Sequence, residues 1–353
     1  MKQGTTLQNL SSKLITHEQA KKDFAVDTRK LEFDPKDRTL TLDFGETKRA
    51  ESVAYDITHH ATRQIGRRLH IPARFWDRLE DEHPALLGTN VNYLFQNAPE
   101  TRMVRTLFGR VRAFLSDSYR RIDNYDVMDA VLPILRDSGR NFTIASCALT
   151  EKKLYFKVVF PELESDVRVG DRVQSGFVLS NSEIGAGSLR VQPLVYRLVC
   201  DNGLIAHDRS IIKRHVGSKL DQDAGLARVL SDETKRHEDE GVLMKVRDIV
   251  ESAMDEEMFE ELVEALRETT KRGLSEPEKT IEQLGDTTRL TEDEQSGILW
   301  QLAQEGDLTQ WGVTNAITRH SQDVEDYDRA TELEEIGGKV AAMGDKQWEA
   351  VAV

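Results

Sequence analysis

The sequence predicts an α+β protein, in which an antiparallel sheet with packed helices is followed by a helical C-terminal half. Alternation of apolar and polar residues, typical of strands, fills most of residues 102–115 and 142–204. Apolar residues recur at helical spacing from residue 57, and this pattern dominates after about residue 220. The last third is also strongly acidic, as solvated helices often are.

These changes of pattern divide the 353 residues into three segments. Residues 1–56 form an N-terminal segment with a hairpin. Residues 57–220 form an α+β core that carries the antiparallel sheet and two basic clusters. Residues 221–353 form an acidic helical region, and its first helix has the option of packing back on the sheet.

Several classes of protein are disfavoured by composition. Hydrophobic residues make up 39% and charged residues 31%, and no apolar run approaches the ~20 residues of a membrane span. The stretch MKQGTTLQNLSSKL lacks the apolar core of a secretory signal. Two cysteines, Cys147 and Cys200, are too few for a disulfide framework or a zinc cluster. We therefore expect a cytoplasmic protein, with no membrane partner and no cofactor.

The first 140 residues contain signals for a strand hairpin, a helical hairpin and a second strand hairpin. LEFDPKDRTLTLDF, residues 31–44, alternates around a turn. Apolar spacing from Ile57 predicts a helix, and Pro72 opens a second one. Residues 102–115 predict two strands that break near Gly109, and Asp123 or Asn124 caps the helix that follows.

The remainder alternates first and then becomes helical. Strands are predicted at 142–149, 152–160, 173–183 and within 185–204, with turns at Pro161, Gly170 and Gly185. Residues 226–265 predict one long helix or two in series, with a break marked by Gly273 and Pro277. Further helices are predicted at 279–285, 291–304, 309–320 and 323–342.

The net charge of −14 is unevenly distributed. Residues 231–353 hold 32 acidic and 13 basic residues, a net of −19, which leaves 30 acidic and 35 basic residues, a net of +5, in residues 1–230. This asymmetry indicates that the basic part meets a polyanion, unless the acidic part is only a set of glutamate-rich surface helices.

The segment FGRVRAFLSDSYRRIDNYDVMDAV, residues 108–131, concentrates arginines at a strand-to-helix junction. Residues 102–121 contain six arginines and one acid, Asp117. Arg110 and Arg112 share one face of an ideal strand, and Arg120 and Arg121 follow at the turn. Guanidinium groups bind phosphate and stack on bases, and aromatic residues are interleaved. The alternative is a sheet whose outer face is merely solvated by arginine.

A second basic cluster, DRSIIKRHVGSKL, follows the last strand and is either an anion-binding turn or an ordinary loop. Together the two clusters give our predicted nucleic-acid contacts. These are Arg105, Arg110, Arg112, Tyr119, Arg120, Arg121, Arg190, Lys213 and Arg214.

Signals for catalysis are weak. Adjacent His59 and His60 cannot face one site, and no pairing of histidine and cysteine has zinc-ligand spacing. Asp126 and Asp129 lie one helical turn apart and could share a metal in a nuclease-like site, but the solvated start of a helix is the simpler explanation. The GAG of residues 185–187 lies between strands and predicts a hairpin turn.

Several strings resemble a family of phage- and plasmid-borne proteins that is catalogued as a domain of unknown function. They include GRVRAFLSDSYRRIDNYDVMDAVLPIL, SNSEIGAGSLRVQPLVYRLVCDNGLI, KRHVGS and LTQWGVTNAITRHSQD. The resemblance runs from about residue 57 to residue 340. It implies a mobile-element origin and an intracellular protein, but no agreed activity.

The order of elements is also similar, more loosely, to single-strand annealing proteins of the Rad52-like kind. That resemblance implies a curved sheet and a helix along a basic groove, protomers assembled into rings, and DNA held by its backbone. Arg110, Arg112, Arg120 and Arg121 would then line the groove, with Lys213 and Arg214 second. The acidic C-terminal half is larger than an annealing core requires.

Our leading hypothesis is a non-enzymatic protein that binds, and by resemblance anneals, single-stranded DNA in recombination, replication or repair of a phage or plasmid. A homo-oligomer is expected with it. The alternative is a mobile-element protein that binds or inhibits a host enzyme through its acidic helices. A third hypothesis, a metal-dependent nuclease, would use the aspartates near residue 126.

Overall fold

Two β-sheets and their packed helices confirm the α+β class. The structure, a computed structural model, describes residues 1–45, 52–206 and 232–352. Sheet A has six strands, sheet B has five, and the chain is helical from residue 232 onward. In these described ranges no helix has the length and apolar character that crossing a membrane would take.

Sheet A has the strand order β1-β5-β6-β4-β3-β2. All neighbours pair antiparallel except β4 and β6, which share a short parallel register. Both predicted hairpins, at residues 31–44 and 102–115, are confirmed in this sheet. Its strands are β1 (Lys22–Asp27), β2 (Leu31–Asp34), β3 (Thr39–Asp43), β4 (Ser52–Ile57), β5 (Thr101–Leu107) and β6 (Arg110–Ser116).

One face of sheet A packs against three helices. Val104, Val111 and Phe114 point to this side and join a core with Trp76 and Phe95 from the helices. Fully burying an aliphatic or aromatic side chain contributes about 1.5–3 kcal/mol, so this core is a main source of stability here. The predicted helical hairpin is confirmed and continues into a third helix. The helices are α2 (His59–Arg68), α3 (Ala73–Glu82) and α4 (Pro84–Asn97).

The predicted division at residue 56/57 falls inside β4 and is not a domain boundary. β4 pairs with β3 of the N-terminal segment and with β6 of the predicted core. Cutting the chain there would remove four strands from sheet A. The other predicted division, at 220/221, lies outside the described residues.

Sheet B is antiparallel throughout, with the order β11-β10-β9-β8-β7. Gly170 and Gly185 have positive φ and form turns as predicted, but Pro161 does not. β8 runs through Pro161, because a register shift between Phe160 and Glu164 lets the chain bend without leaving the sheet. The strands are β7 (Thr143–Leu149), β8 (Leu154–Arg168), β9 (Asp171–Asn181), β10 (Arg190–Arg197) and β11 (Asn202–Ile205).

Helices cover sheet B on both faces. Phe156 and Phe177 face a core shared with α1 (Leu7–Ala20), α5 (Asn124–Asp137) and two acidic helices. The acidic helices, α6 (Asp232–Ser252) and α7 (Glu256–Thr269), correspond to the predicted two helices in series. The first helix of the acidic region therefore packs back on the sheet, since Ile249 and Val250 belong to this core.

The C-terminal helices have a core of their own and lie against the other face of sheet B. Ile281, Ile298, Ile317 and Leu333 are buried together in it. The predicted helices are confirmed within a few residues, and Pro277 opens the first of them. They are α8 (Pro277–Thr288), α9 (Glu292–Glu305), α10 (Gln310–His320), α11 (Tyr327–Ala341) and a short α12 (Asp345–Glu349).

A buried ion pair joins sheet B to α11. Lys157 on β8 and Glu334 on α11 are both 0% exposed, with Nζ 2.5 Å from Oε2. Lys157 Nζ also donates to Thr331 Oγ1 at 3.2 Å and lies 5.0 Å from the centre of the Tyr327 ring. A buried charge costs free energy unless its partner is in place, so this pair fixes how α11 sits on the sheet.

We predict that the single changes Lys157→Met and Glu334→Leu each lower the free energy of unfolding by about 3–5 kcal/mol, because each leaves an uncompensated buried charge. The double variant should lose much less than the sum, because no charge then remains in the interior. Urea unfolding of all four proteins measures this coupling. Additive losses would show that the two groups do not compensate each other.

Candidate nucleic-acid interface

Arg105, the first predicted nucleic-acid contact, lies in the interior between the two sheets. It is the register partner of Asp23 on β1, and its side chain is fully buried. The guanidinium binds both Asp23 carboxylate oxygens, at 2.9 and 3.1 Å, and Asp123 Oδ1 at 2.7 Å. It also donates to the Glu183 carbonyl at 2.8 Å. Arg105 is thus committed to internal partners and is not positioned to contact DNA.

Arg112 is turned away from Arg110 by a β-bulge. In β6, Val111 pairs with Thr106 and Ala113 with Arg105, so Arg112 is the extra residue between them. Its Nη1 lies 2.5 Å from Glu183 Oε2, and its side chain is only 12% exposed. Arg110 and Arg112 were predicted to share one face of an ideal strand, but the bulge interrupts the alternation on which that prediction rested, and only Arg110 is exposed.

Glu183 caps a helix in place of the residue predicted to do so. Asp123 occupies the N-cap position of α5, but its side chain makes no capping hydrogen bond. The Asn124 N–H donates instead to Glu183 Oε1 at 2.7 Å. The Asp123 carboxylate is bound by Arg105 and Lys21, which leaves the helix start to Glu183. We call Asp23, Arg105, Arg112, Asp123 and Glu183 the junction cluster.

The segment SNSEIGAG, residues 180–187, connects the junction cluster to its surroundings. Asn181 Nδ2 donates to the Ile122 carbonyl, and Tyr119 donates to the Ser182 carbonyl at 3.0 Å. The Ile184 carbonyl lies within hydrogen-bond distance of two side chains of α2, those of His60 and Gln64. Gly185 follows with φ of 72°, where a Cβ would lie 2.8 Å from the Leu115 side chain, so only glycine fits.

The tip of the β5–β6 hairpin, residues 108–110, is exposed. Phe108 has φ of 51° and Gly109 has φ of 73°, and the Phe108 side chain is 60% exposed. Its ring meets the edge of His17 on α1, with centroids 5.5 Å apart. The Arg110 side chain is exposed and makes no hydrogen bond or ion pair with a described residue. The exposed acid nearest in register is Asp56, which is paired with Arg110 across β4 and β6.

The residues after β6 lie beside the junction cluster. The Arg121 side chain is 58% exposed, and its Nη1 is 3.8 Å from Asp23 Oδ2. Arg120 and Tyr119 are half-buried, whereas Tyr125, at the start of α5, is exposed. Of the four arginines expected along one groove, Arg110 and Arg121 are therefore the exposed ones.

The other predicted contacts are not brought to this surface by any described contact. Arg190 begins β10 in sheet B, 49% exposed, with Glu335 on α11 3.9 Å away. Lys213 and Arg214 lie outside the described residues. Arg197, near the second cluster, is buried and bound to Asp171 at 2.6 Å and Glu305 at 3.1 Å.

Groups considered for catalysis stay apart in the described part of the chain. Asp126 and Asp129 are exposed on α5, while Asp123 is held inside by Arg105 and Lys21. Among the described residues no three His, Cys, Asp or Glu side chains come together to hold a metal ion. Cys147 is buried, and burial raises the pKa of its thiol. The nuclease hypothesis stays a prediction.

The chain belongs to the family described as "Domain of unknown function (DUF932)", whose model matches residues 112–340. That match begins at Arg112 rather than near residue 57, and it contains SNSEIGAG, α5 and the C-terminal helices. Neither the curated proteins nor the solved structures contain a match to this chain.

Sequence reasoning missed the acids that bind the predicted arginines. Asp23 lies 82 residues and Glu183 lies 71 residues from its arginine, and neither separation has a recognisable spacing. The prediction of an exposed cationic surface was based on the near absence of acids close in sequence to the arginines. That inference holds only if no acid from a distant part of the chain folds back onto the arginines. The sequence analysis predicted no strand at residues 22–27, and the alternation that puts Asp23 on the face opposite Phe24 is the signal that would have indicated where Asp23 points.

Opposing effects set the pKa of Asp123. Burial alone would raise the pKa, but the charges and hydrogen bonds of Arg105 and Lys21 outweigh burial and hold it below its ordinary value. A carboxylate whose pKa is lower in the folded than in the unfolded chain stabilises the fold above the unfolded pKa of about 3.9. That stabilisation is lost as the pH falls through the folded pKa.

We predict that Asp123→Asn lowers the free energy of unfolding by about 3 kcal/mol at pH 7, because the buried Arg105 and the half-buried Lys21 lose a partner. Below about pH 4 the wild-type value should fall more steeply than that of the variant, which has no carboxylate to protonate at this site. Urea unfolding from pH 3 to pH 7 tests this, with the exposed Asp129→Asn as a control of unchanged stability. Parallel pH profiles for wild type and Asp123→Asn would contradict the prediction.

Proposed function

We propose that this protein binds single-stranded DNA without catalysing a reaction on it. We further propose that it serves strand annealing in the recombination, replication or repair of a phage or plasmid, in the host cytoplasm. The observation that carries the DNA-binding proposal is the exposed phenylalanine at the hairpin tip. Its surroundings supply the charge that a phosphate backbone needs.

Phe108 occupies a backbone conformation that phenylalanine rarely adopts. A bulky residue with φ of 51° is disfavoured in a two-residue turn, where Asn or Gly is usual. Such a conformation costs on the order of 1 kcal/mol, and a side chain that is 60% exposed recovers little of this by burial. A residue that is unfavourable for folding yet placed on the surface is explained by contact with a ligand. Base stacking is the contact that an exposed phenyl ring offers to single-stranded DNA.

Cationic groups surround the tip. Arg110 lies two residues after Phe108, Lys13 is exposed one helical turn before His17, and Lys22 pairs in register with Thr106. Burial lowers the pKa of the His17 imidazole, and the charges of Arg112 and Lys13 add to this effect while that of Glu183 opposes it. The exposed cations Arg110, Lys13 and Lys22 outnumber the exposed acid Asp56, and Arg112 is already paired with Glu183, so we expect these three to attract a polyanion.

Arg112 also keeps donors that only a further group can satisfy. Its Nε and Nη2 are buried and have no hydrogen-bond acceptor in the described part of the chain. An unsatisfied buried donor costs about 1–3 kcal/mol, and an internal water molecule at this site would satisfy it. Binding through one ring and a few cations is expected to show little base preference and a strong dependence on salt.

We predict that Phe108→Gly weakens binding to a fluorescent single-stranded oligonucleotide by about tenfold, since stacking contributes about 1–3 kcal/mol per base. The same change should leave the free energy of unfolding unchanged or raise it by up to about 1 kcal/mol, because glycine relieves the strained turn. Fluorescence anisotropy and urea unfolding measure the two quantities on the same samples.

The direction of the two effects separates function from structure. Phe108→Tyr keeps the aromatic ring and should keep the affinity. Leu86 is also exposed, but Leu86→Gly does not serve as a control because glycine would break helix α4. If Phe108→Gly destabilises the fold while the affinity of the folded protein is unchanged, Phe108 has a structural role and the interface lies elsewhere. Absence of any binding at low salt would overturn the proposed function itself.

We predict that Arg110→Ala reduces the slope of log K against log salt concentration by about 0.7, the value for one phosphate contact on a single strand. Arg172→Ala is the control, since Arg172 is an exposed arginine beside the Gly170 turn of sheet B, where it pairs with Glu164 at 2.9 Å. Anisotropy titrations from low to moderate salt give both slopes. Equal slopes for Arg110→Ala, Arg172→Ala and wild type would exclude a phosphate contact at Arg110.

A further inference from the structure

An apolar groove lies in the acidic half, between the start of α8 and the end of α9. Its volume is about 660 Å³. Pro277 forms part of one wall, Trp300 and Ala303 form the other, and Leu308 lies beyond the end of α9. We call it the Trp300 groove. Clefts of this size hold several side chains of a bound segment.

Trp300 is a large apolar side chain that the described core leaves mostly uncovered. On α9 its neighbours Ile298 and Leu302 are buried in the C-terminal core, which leaves Trp300 on the solvent side at 60% exposure. Leu308 beside the groove is 46% exposed. Large exposed apolar residues that adjoin one another mark binding surfaces, and tryptophan is enriched among the residues that dominate binding energy.

The rim of the groove is acidic. Glu276 and Glu278 lie at the start of α8, and exposed Glu282 follows one helical turn later. Lys279 is the only cation among the lining residues, and its Nζ lies 2.5 Å from Glu276 Oε2. The groove therefore combines an apolar floor with a net negative edge, within a C-terminal region of net charge −19.

We infer that the Trp300 groove binds a basic amphipathic segment of a partner protein, in which apolar side chains are flanked by lysine or arginine. The apolar side chains would cover Trp300 and Leu308, and the cations would face Glu276 and Glu278. Charge complementarity of this kind selects basic partners and excludes the DNA backbone. The inference is independent of the hairpin tip and of the proposed function.

Tryptophan fluorescence tests this directly, because three of the four tryptophans are buried. Trp76, Trp311 and Trp348 are 1–2% exposed, so acrylamide quenching of the full chain reports mainly on Trp300. The probe is a tryptophan-free amphipathic peptide of leucine and lysine. The comparison peptide has glutamate in place of every lysine. We expect the lysine peptide to reduce quenching and shift the emission to shorter wavelength, and the glutamate peptide to do neither.

Variants of the protein locate the binding site, and the fluorescence anisotropy of the labelled lysine peptide measures the affinity of each variant. Trp300→Ala should weaken binding by about tenfold, the effect of a dominant interface residue, with an unchanged melting temperature because the side chain is exposed. Glu276→Lys/Glu278→Lys should lose the lysine peptide and gain the glutamate peptide. Glu257→Lys/Glu261→Lys makes the same charge change at exposed positions of α7 and should leave affinity nearly unchanged.

Three results would overturn the inference. Equal effects of both peptides would show that charge does not select the occupant. Equal loss in the two charge-reversed variants would show adhesion to the acidic half at large. Protection of Trp300 that grows with protein concentration alone, together with a dimer in sedimentation, would show that a second copy of this chain is the occupant.

Discussion

The structure depends on one constraint, namely that the charges buried between sheet A and α5 must all find partners. Arg105 can remain in the interior only because Asp23 and Asp123 bind it, and Glu183 binds Nη1 of Arg112 and the start of α5 at the same time. Removing one of these partners would leave a buried charge uncompensated, which costs about 3–5 kcal/mol. The junction cluster therefore fixes the position of sheet A relative to sheet B.

This constraint changes the meaning of the arginine-rich segment. The segment contains enough arginine for a cationic groove, but its central members neutralise acids that fold back from distant parts of the chain. What remains for a ligand is the edge of the cluster: the hairpin tip with Phe108 and Arg110, and Arg121 beside Asp23. The internal network holds this edge rigid, because the bulge at Arg112 ties β6 to Glu183. A rigid support is what a small binding surface needs.

The two exposed surfaces of interest have opposite electrostatic character and separate structural supports. The hairpin tip is cationic and belongs to sheet A, whereas the Trp300 groove is acidic and belongs to the C-terminal core. The Lys157–Glu334 pair connects that core to sheet B, so the acidic helices are part of the folded unit, not an appendage. The charge asymmetry of the sequence thus corresponds to two surfaces that would attract different partners.

The sequence by itself determined many of the elements, since apolar periodicity and turn residues act locally: the two strand hairpins, the break at Pro277 and the turns at Gly170 and Gly185 are where the pattern places them. It also determined the charge asymmetry. It did not predict α1, β1 or α4. Only the tertiary structure decided that two sheets form, that β8 continues through Pro161, that Glu183 caps α5, and that Arg105 is buried while Arg110 is exposed. The physical reason is that register, bulges and ion pairs depend on residues far apart in the chain, and no local pattern reports which distant group will arrive.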